Sequence, residues 1–268
     1  MGVGYTGRRV LSLLPPNRST GFRSSDIDLD APASKPINVA HPCTILYTVP
    51  PAETGNDDLR LQMFLSLLGA APRRIVYLST SGVYGNHNGR RIDEATAPAP
   101  AAARARRRLA AEQMLQQWCA DQSVEYMCLR VPGIYGPGRL GLERIKSGEP
   151  VIVETETNPG NRIHVDDLAA CCIQAMTEEV PTGIYNTGDG DHRSSSWFTR
   201  TVAALADLNA PPEISKAQAA EQFSAARLSF LNEARIVDTT KMREVLRFTP
   251  RYPDPEDGIR DSLLADGV

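Results

Sequence analysis

A doubly wound α/β fold with a parallel sheet is what this sequence predicts. Three observations carry the prediction: short apolar runs that recur along the chain, helical patterns lying between them, and a glycine-spaced turn at its head. The apolar runs are residues 44–49 (TILYTV), 74–78 (RIVYL) and 124–129 (VEYMCL), each rich in β-branched or aromatic side chains, as buried strands are. Residues 57–70 and 104–120 carry the helical patterns, the first opened by Asp57 and Asp58, whose charge suits a helix N-terminus. Alternation of this kind implies parallel pairing through right-handed crossovers.

Gly2, Gly4 and Gly7 stand in the spacing GxGxxG ahead of a helical run over residues 8–14. The first glycine permits a tight turn, the second lets backbone approach a pyrophosphate, and the third allows close helix–strand packing. Tyr5 and Thr6 supply amides at the helix start, which makes the stretch a dinucleotide-binding pattern. A glycine-rich terminus with no ligand is the plainer reading of the same residues. Such a turn follows a strand, yet only Met1 precedes it, so the expectation is a truncated first strand, with about five apolar residues supplied by a longer reading frame.

Residues 19–22 are expected to form a short second strand ending at Arg23. An acid at that place holds a ribose 2′-hydroxyl and an arginine a 2′-phosphate, so Arg23 beside Ser24 and Ser25 favours NADP, with NAD as the alternative. A solvated arginine is the competing reading. A third strand is presumed before Asp28-Leu29. Beyond residue 135 the elements shorten and Pro, Gly and polar residues increase, with helices expected over 194–208, 216–227 and 240–246. The expected division is a nucleotide-binding part over residues 1–135 and 162–190, and a small substrate lobe over 136–161 and 191–268.

Composition excludes several classes. The 268 residues are 41% hydrophobic and 23% charged, enough for a sizeable core, and the net charge of −3 offers no basic field for nucleic acid or an anionic membrane. Cys43, Cys119, Cys128, Cys171 and Cys172 lack CxxC spacing, so buried reduced thiols are expected, and no metal site. No apolar run approaches the roughly 18 residues of a membrane helix and no secretory leader is evident, so a cytoplasmic protein is expected.

Four later segments resemble the extended short-chain dehydrogenase/reductase family, also called the NAD-dependent epimerase/dehydratase family: residues 79–85 (STSGVYG), 109–112 (LAAE), 130–139 (RVPGIYGPGR) and 162–169 (RIHVDDLA). Order and spacing both agree, and with the glycine turn they span about two-thirds of the chain. Val49-Pro50-Pro51 resembles the VPP that follows the fourth strand in an atypical, nucleoside-diphosphate-sugar epimerase-like branch. The resemblance implies a Rossmann-type sheet with a C-terminal substrate lobe, a nicotinamide cofactor, a small-molecule substrate such as a nucleotide-sugar, and a homodimer through the two helices over 57–70 and 104–120. It assigns cofactor contacts to Asp28, Leu29, Thr48, Val49, Pro50, Ser79, Arg108, Pro132, Gly133 and Ile134, and substrate contacts to Ser81, Arg104, Arg139, Arg162 and His164. Arg139 and Arg162 are the candidates to pair with a diphosphate.

In that family a Ser or Thr, a Tyr and a Lys act together, because a phenol of pKa near 10 needs an adjacent cation to serve as a base at neutral pH. Aligned on LAAE, this chain has Arg104 where the family has Tyr and Arg108 where it has Lys. Arginine stays protonated and shuttles no proton. Thr80 holds the Ser/Thr position, where it either bonds a substrate oxygen or ties down a turn. Tyr84 and Tyr135 are the phenols that could substitute as a base, although both have structural roles in such folds. The arginines over 104–108 oppose the helix dipole, as a solvated helix start or as a partner for a bound anion. Asp166 and Asp167 are expected to cap a helix. Two functions follow: an NAD(P)-dependent oxidoreductase or epimerase-like enzyme, or a non-catalytic NADP-binding sensor or regulator.

Overall fold

The structure is a computed structural model that describes residues 1–31, 36–39, 42–177 and 179–268. The chain runs α1 (Tyr5–Leu13), β1 (Thr44–Tyr47), α2 (Leu59–Leu67), β2 (Arg74–Thr80), β3 (Arg91–Ile92), α3 (Ala103–Asp121), β4 (Glu125–Val131), β5 (Gly133–Tyr135), α4 (Leu142–Lys146), β6 (Val151–Ile152), β7 (Arg162–His164), α5 (Val165–Thr177), β8 (Gly183–Asn186), α6 (Ser195–Leu205), β9 (Glu213–Ile214), α7 (Lys216–Gln222), α8 (Ala225–Leu231), β10 (Ile236–Val237), α9 (Thr240–Glu244) and α10 (Pro255–Asp266).

The central sheet has the order β1-β2-β4-β8 with every pairing parallel. Successive side chains of a strand point to opposite faces. Leu46, Val76, Leu78, Met127 and Leu129 therefore enter one core with Val10 of α1 and Leu168, Cys171 and Ala175 of α5. Ile45, Tyr47, Ile75, Tyr77 and Cys128 enter a second core with Leu61 and Phe64 of α2 and Ala111, Leu115 and Cys119 of α3. Helices thus cover both faces, the doubly wound arrangement predicted, and a strand covered on both faces reads as a continuous apolar run. Each Leu or Met fully buried here contributes about 1.5–3 kcal/mol over exposure. Cys119, Cys128, Cys171 and Cys172 are buried free thiols and Cys43 is partly buried.

Several expectations shift. Helix α2 starts later than residue 57 because Asp58 is its N-cap, accepting from Leu61 N at 3.0 Å. It ends at Leu67, where Ile37 N donates to the Leu67 carbonyl at 2.7 Å and Leu68 forms an isolated bridge with Ile37. Residues 19–22 form no ladder; the segment contributes one carbonyl, Phe22 O, which accepts from Gly2 N at 3.0 Å and Val3 N at 3.1 Å. Met1 lies on the other flank against β1, with Thr48 N donating to Met1 O at 3.0 Å. The presumed third strand is a pair of turns, and Leu29 drops into the α2–α3 core. The helix over 216–227 is two helices: Phe223 is extended, and Ser224 caps α8 by accepting from Arg227 N. Helix α10, which sequence reasoning did not mark, packs Ile259 and Leu263 against Tyr135, Leu140 and Val202.

Candidate functional site

Helix α1 begins at the carboxyl end of β1, because Gly2 and Gly7 let the turn close. A Cβ on Gly7 would lie 2.5 Å from Gly2 O, and one on Gly2, whose φ is +90°, would lie 2.7 Å from Thr48 Oγ1. Thr48 locks the turn from below by donating its hydroxyl to Gly2 O. Gly4, the N-cap, differs: a Cβ there would meet nothing within 4 Å. The leading N–H groups of a helix have no partner within it, and here neither a side-chain cap nor an acid in the first turn serves them. The turn is therefore an open anion cradle, and a pyrophosphate fits it. Tyr5 leans across to donate to Pro137 O at 2.8 Å, and the exposed Arg139 lies over the Tyr5 ring at 3.9 Å. That places Arg139 beside the cradle. Arg23 follows Phe22 directly and is exposed, its N–H donating to Asp26 Oδ2 at 2.7 Å.

The carboxyl ends of β1, β2 and β4 meet α3 beside this cradle. Arg108 Nη1 donates to Leu78 O at 3.0 Å and Tyr77 Oη at 3.1 Å, and reaches Val49 O at 3.5 Å. It braces two strand ends. Pro50 O accepts from Arg60, which pairs with Asp30 through two bonds of 2.7 Å. Asp28 Oδ1 accepts from Asp30 N at 2.9 Å. Ser79 donates to Glu112, which holds Arg130 at 2.7 Å with both partners buried. Pro132 leads from β4 to Gly133 and Ile134 of β5, which pair with Arg162 and Ile163 of β7.

The candidate catalytic hydroxyls are already engaged or shut away. Thr80 Oγ1 accepts from Gly82 N at 3.1 Å and caps the tight turn Ser81–Tyr84, so it ties a turn. Tyr84 is buried, donates to Asn186 Oδ1 at 2.8 Å and lies under Arg130. Tyr135 is buried against His164 and Phe198, and its hydroxyl has no partner. Burial raises the pKa of both phenols, Tyr135 far above its ordinary value, which is the wrong direction for a base. Two substrate assignments also give way. Arg162 is buried in bonds to Asp191 Oδ1 at 2.6 Å and to the Arg193 and Ser194 carbonyls, which leaves it unavailable to a diphosphate. His164 is fully buried, with Nε2 3.1 Å from Ser262 Oγ and Nδ1 accepting from Asp166 N. Asp166 pairs with Arg9 and Asp167 accepts from Arg251 N and Tyr252 N, so neither carboxylate caps α5.

A cleft of about 270 Å³ opens between the sheet's carboxyl edge and the later elements, lined by Ser81, Gly133, Lys216, Phe230, Glu233 and Arg235 among others. Glu233 accepts from Arg235 at 2.8 Å and stands 3.7 Å from Arg104, which also donates to Ser229 Oγ at 2.7 Å and stacks on Phe230. Sequence reasoning missed Glu233 and Arg235; they lie over a hundred residues from Arg104, in a stretch with no motif. It also missed Asp189, which is buried with Oδ2 unpartnered and whose pKa is pushed up to about 8 by burial. Among the described residues no His, Cys, Asp and Glu cluster could hold a metal ion, and no helix is long and apolar enough to cross a membrane.

The family model for the NAD dependent epimerase/dehydratase family matches residues 50–188, just over half of the chain. The chain belongs to the NAD dependent epimerase/dehydratase family. A curated relative, the uncharacterized protein y4nG of Sinorhizobium fredii (strain NBRC 101917 / NGR234), is 25% identical over 201 residues, covering 68% of this chain and 50% of that protein, so the chain spans about half its relative's length. A functionally unknown conserved protein from Silicibacter pomeroyi DSS is similar in structure, with a TM-score of 0.80 and 26% identity over 100% of this chain and 98% of that one. RMD from Pseudomonas aeruginosa, solved with NADPH, shares the fold, with a TM-score of 0.73 and 16% identity over 98% and 96% of the two chains. In this epimerase/dehydratase chain α3 carries neither tyrosine nor lysine, and arginines occupy its first turns.

Proposed function

We propose that this epimerase/dehydratase family member binds a nicotinamide dinucleotide, NADP in preference to NAD, and acts as an NAD(P)-dependent oxidoreductase or epimerase-like enzyme on a nucleotide-sugar or similar small molecule. The observation that carries the reading is the open cradle at Gly4 on the carboxyl edge of a parallel sheet, where dinucleotides bind in such folds. Gly2, Gly4 and Gly7 with the Tyr5 and Thr6 amides hold the pyrophosphate, Arg139 adds a cation beside it, and Arg23 with its serines meets a 2′-phosphate. Backbone from Thr48 to Pro50 and from Pro132 to Ile134 flanks the nicotinamide, with Ser79 and Arg108 bracing the strand ends. The nicotinamide supplies hydride donation and acceptance. Residues 136–161 and 191–268 serve as the substrate lobe, and Ser81, Arg104 and Glu233 face the ligand.

A second reading, a dinucleotide-binding sensor or regulator without turnover, is favoured by one observation: every hydroxyl and cation at the family's acid/base positions already has a protein partner or is buried. Titration with NADPH and NADH, followed by melting temperature, tests the shared part. A ligand at 100 times its dissociation constant stabilises a fold by about 2.7 kcal/mol, so an unmoved melt at millimolar nucleotide defeats both readings. Given binding, oxidation or reduction of bound nicotinamide across a nucleotide-sugar panel separates them. Turnover supports the enzyme, and binding without turnover supports the sensor.

A further inference from the structure

We propose that α8 is a lid on the cleft, latched to α3 by Arg104, and that a ligand enters when the latch releases. The inference rests on the reading of the cleft as the ligand site and adds a gate to it.

Helix α8 forms part of the cleft wall yet buries none of its seven residues. Phe230 and Leu231 line the opening, and Phe230, its one aromatic side chain, is 62% exposed. Leu228 and Leu231 are only partly buried, against a small cluster of Ile152, Ala219 and Phe223 that is separate from the two cores flanking the sheet. A helix this short has little stability of its own, because the cost of starting it is spread over few hydrogen bonds. Segments with few buried apolar contacts are the ones that open locally. The chain enters α8 extended, with Phe223 at φ −89° and ψ 148° and Ser224 at φ −61° and ψ 151°. A change of torsion at these two positions swings α8 and leaves α7 wound, as element-terminal hinges do.

The ties of α8 fall into two sets. Toward the later elements, Arg227 donates to Glu149 Oε2 at 3.1 Å and to Pro150 O at 2.9 Å, and Asn158 Nδ2 donates to Leu231 O at 2.6 Å. Toward the helices of the sheet, Arg104 reaches out from the first turn of α3. Its Nη1 donates to Ser229 Oγ at 2.7 Å, and its guanidinium lies 3.6 Å over the Phe230 ring. The first set anchors α8 to the lobe it belongs to, and the second clasps it to the nucleotide-binding part. The Arg104 side chain is 36% exposed, and a cation–π contact at such a site is modest, so the clasp releases and re-forms. A closed α8 keeps water from the cleft and an open one admits a small molecule, which is the gating that lids supply.

The test uses the full chain with no nucleotide or sugar added. Amide hydrogen exchange, read by mass spectrometry, compares the parent with Arg104→Ala over residues 224–231 and over β2 and β4. The variant is expected to exchange at least tenfold faster over 224–231 with the strands unchanged. Helix α3 is not weakened, because the substitution removes a cation that opposes its dipole and supplies a better helix former. Ser81→Cys reads the gate itself. Ser81 lines the cleft and is 3% exposed, so a thiol there should react with iodoacetamide chiefly while α8 is open, and Arg104→Ala should raise that rate at least tenfold. Phe230→Ala, which removes the other half of the clasp at an exposed position, is the second variant should Arg104→Ala misfold. It is read by exchange alone, since it also trims the cleft wall, and the same tenfold gain over 224–231 is expected. Unchanged exchange over 224–231 in both variants overturns the inference, as do strands that speed by the same factor in both, or Ser81→Cys labelling that Arg104→Ala leaves unchanged. Neither readout depends on NADPH or a substrate, so failure of the lid and failure of the dinucleotide reading are distinguishable.

Discussion

Gly4→Ala isolates the cradle from the fold. Gly4 has φ −86° and ψ −151°, an extended conformation open to any residue, and its added Cβ meets no protein atom within 4 Å. The cost to stability is only that of exchanging glycine for alanine at an N-cap, below about 1 kcal/mol. That methyl nonetheless fills the space a pyrophosphate needs to reach the amides behind it. A tenfold weaker dissociation constant is the minimum expected, about 1.4 kcal/mol. At nucleotide equal to 100 times the parent's dissociation constant, the parent gains about 2.7 kcal/mol and the variant about 1.4. For a chain of this size each kcal/mol moves the melting temperature by about 2–4 °C, so the ligand-induced shift falls by roughly half. Gly7→Ala is the contrast, since its Cβ falls 2.5 Å from the Gly2 carbonyl and forces the turn apart. That variant should lose about 1–3 kcal/mol without any ligand. A Gly4→Ala protein whose nucleotide shift equals the parent's would refute the placement of the pyrophosphate.

Arg23→Ala is expected to weaken NADPH at least tenfold and leave NADH within twofold in fluorescence titrations; equal losses for the two cofactors would count against a 2′-phosphate contact. Tyr135→Phe removes a buried hydroxyl that has no partner, so it should leave stability unchanged or raised by up to about 1–3 kcal/mol and leave ligand binding intact; abolished binding or turnover would restore a chemical role to that phenol. Glu112→Ala strands Arg130 in the core and should cost about 3–5 kcal/mol in urea unfolding, with a loss under 1 kcal/mol contradicting the buried pair. Asp189, with its pKa pushed up to about 8 by burial, keeps in the folded state a proton that the unfolded chain releases near pH 4. Stability should therefore fall between those values by ~1.4 kcal/mol per pH unit, and Asp189→Asn should flatten the profile and gain at pH 8; parallel profiles would exclude Asp189 as the cause.

The strands were legible because both faces of this sheet are covered, so their apolar runs are continuous, and 74–78 could be read without knowing its partners. Helix ends were less legible. Asp58 and not Asp57 is the cap, and Phe223 breaks what looked like one helix, since each outcome depends on a side-chain bond that no periodicity encodes. Residues 19–22 misled for a similar reason: an extended segment becomes a strand only with a laddered neighbour, and here one carbonyl does the pairing. The glycine turn was legible because its residues are consecutive. Glu233 and Arg235 were not, because their link to Arg104 is made in space. Nor was the burial of Arg162 and His164 legible, because a motif fixes a residue's place in the chain and not which neighbouring loop or helix it packs against.

Arg104, Arg108 and Glu112 lie four residues apart and so share one stripe of α3, and each reaches a different body. Glu112 holds Arg130 beneath the sheet's carboxyl edge, Arg108 joins the ends of β1 and β2, and Arg104 crosses to α8 and Glu233. Where the resemblance implies an acid/base pair, this stripe forms a brace. The arrangement has an electrostatic cost, because four arginines crowd the first turns of a helix whose N-cap, Ala102, makes no side-chain bond. A cation at that end opposes the dipole, and only a nearby anion offsets it. Glu233 is such an anion for Arg104, but it is shared with Arg235 and sits beyond hydrogen-bonding distance. Bracing alone would be met more simply by neutral groups, since a leucine or glutamine at position 104 could pack on Phe230 without opposing the dipole. What neither could supply is a charge for Glu233, so Arg104 ties this helix start both to α8, through Ser229 and Phe230, and to the carboxylate beyond it.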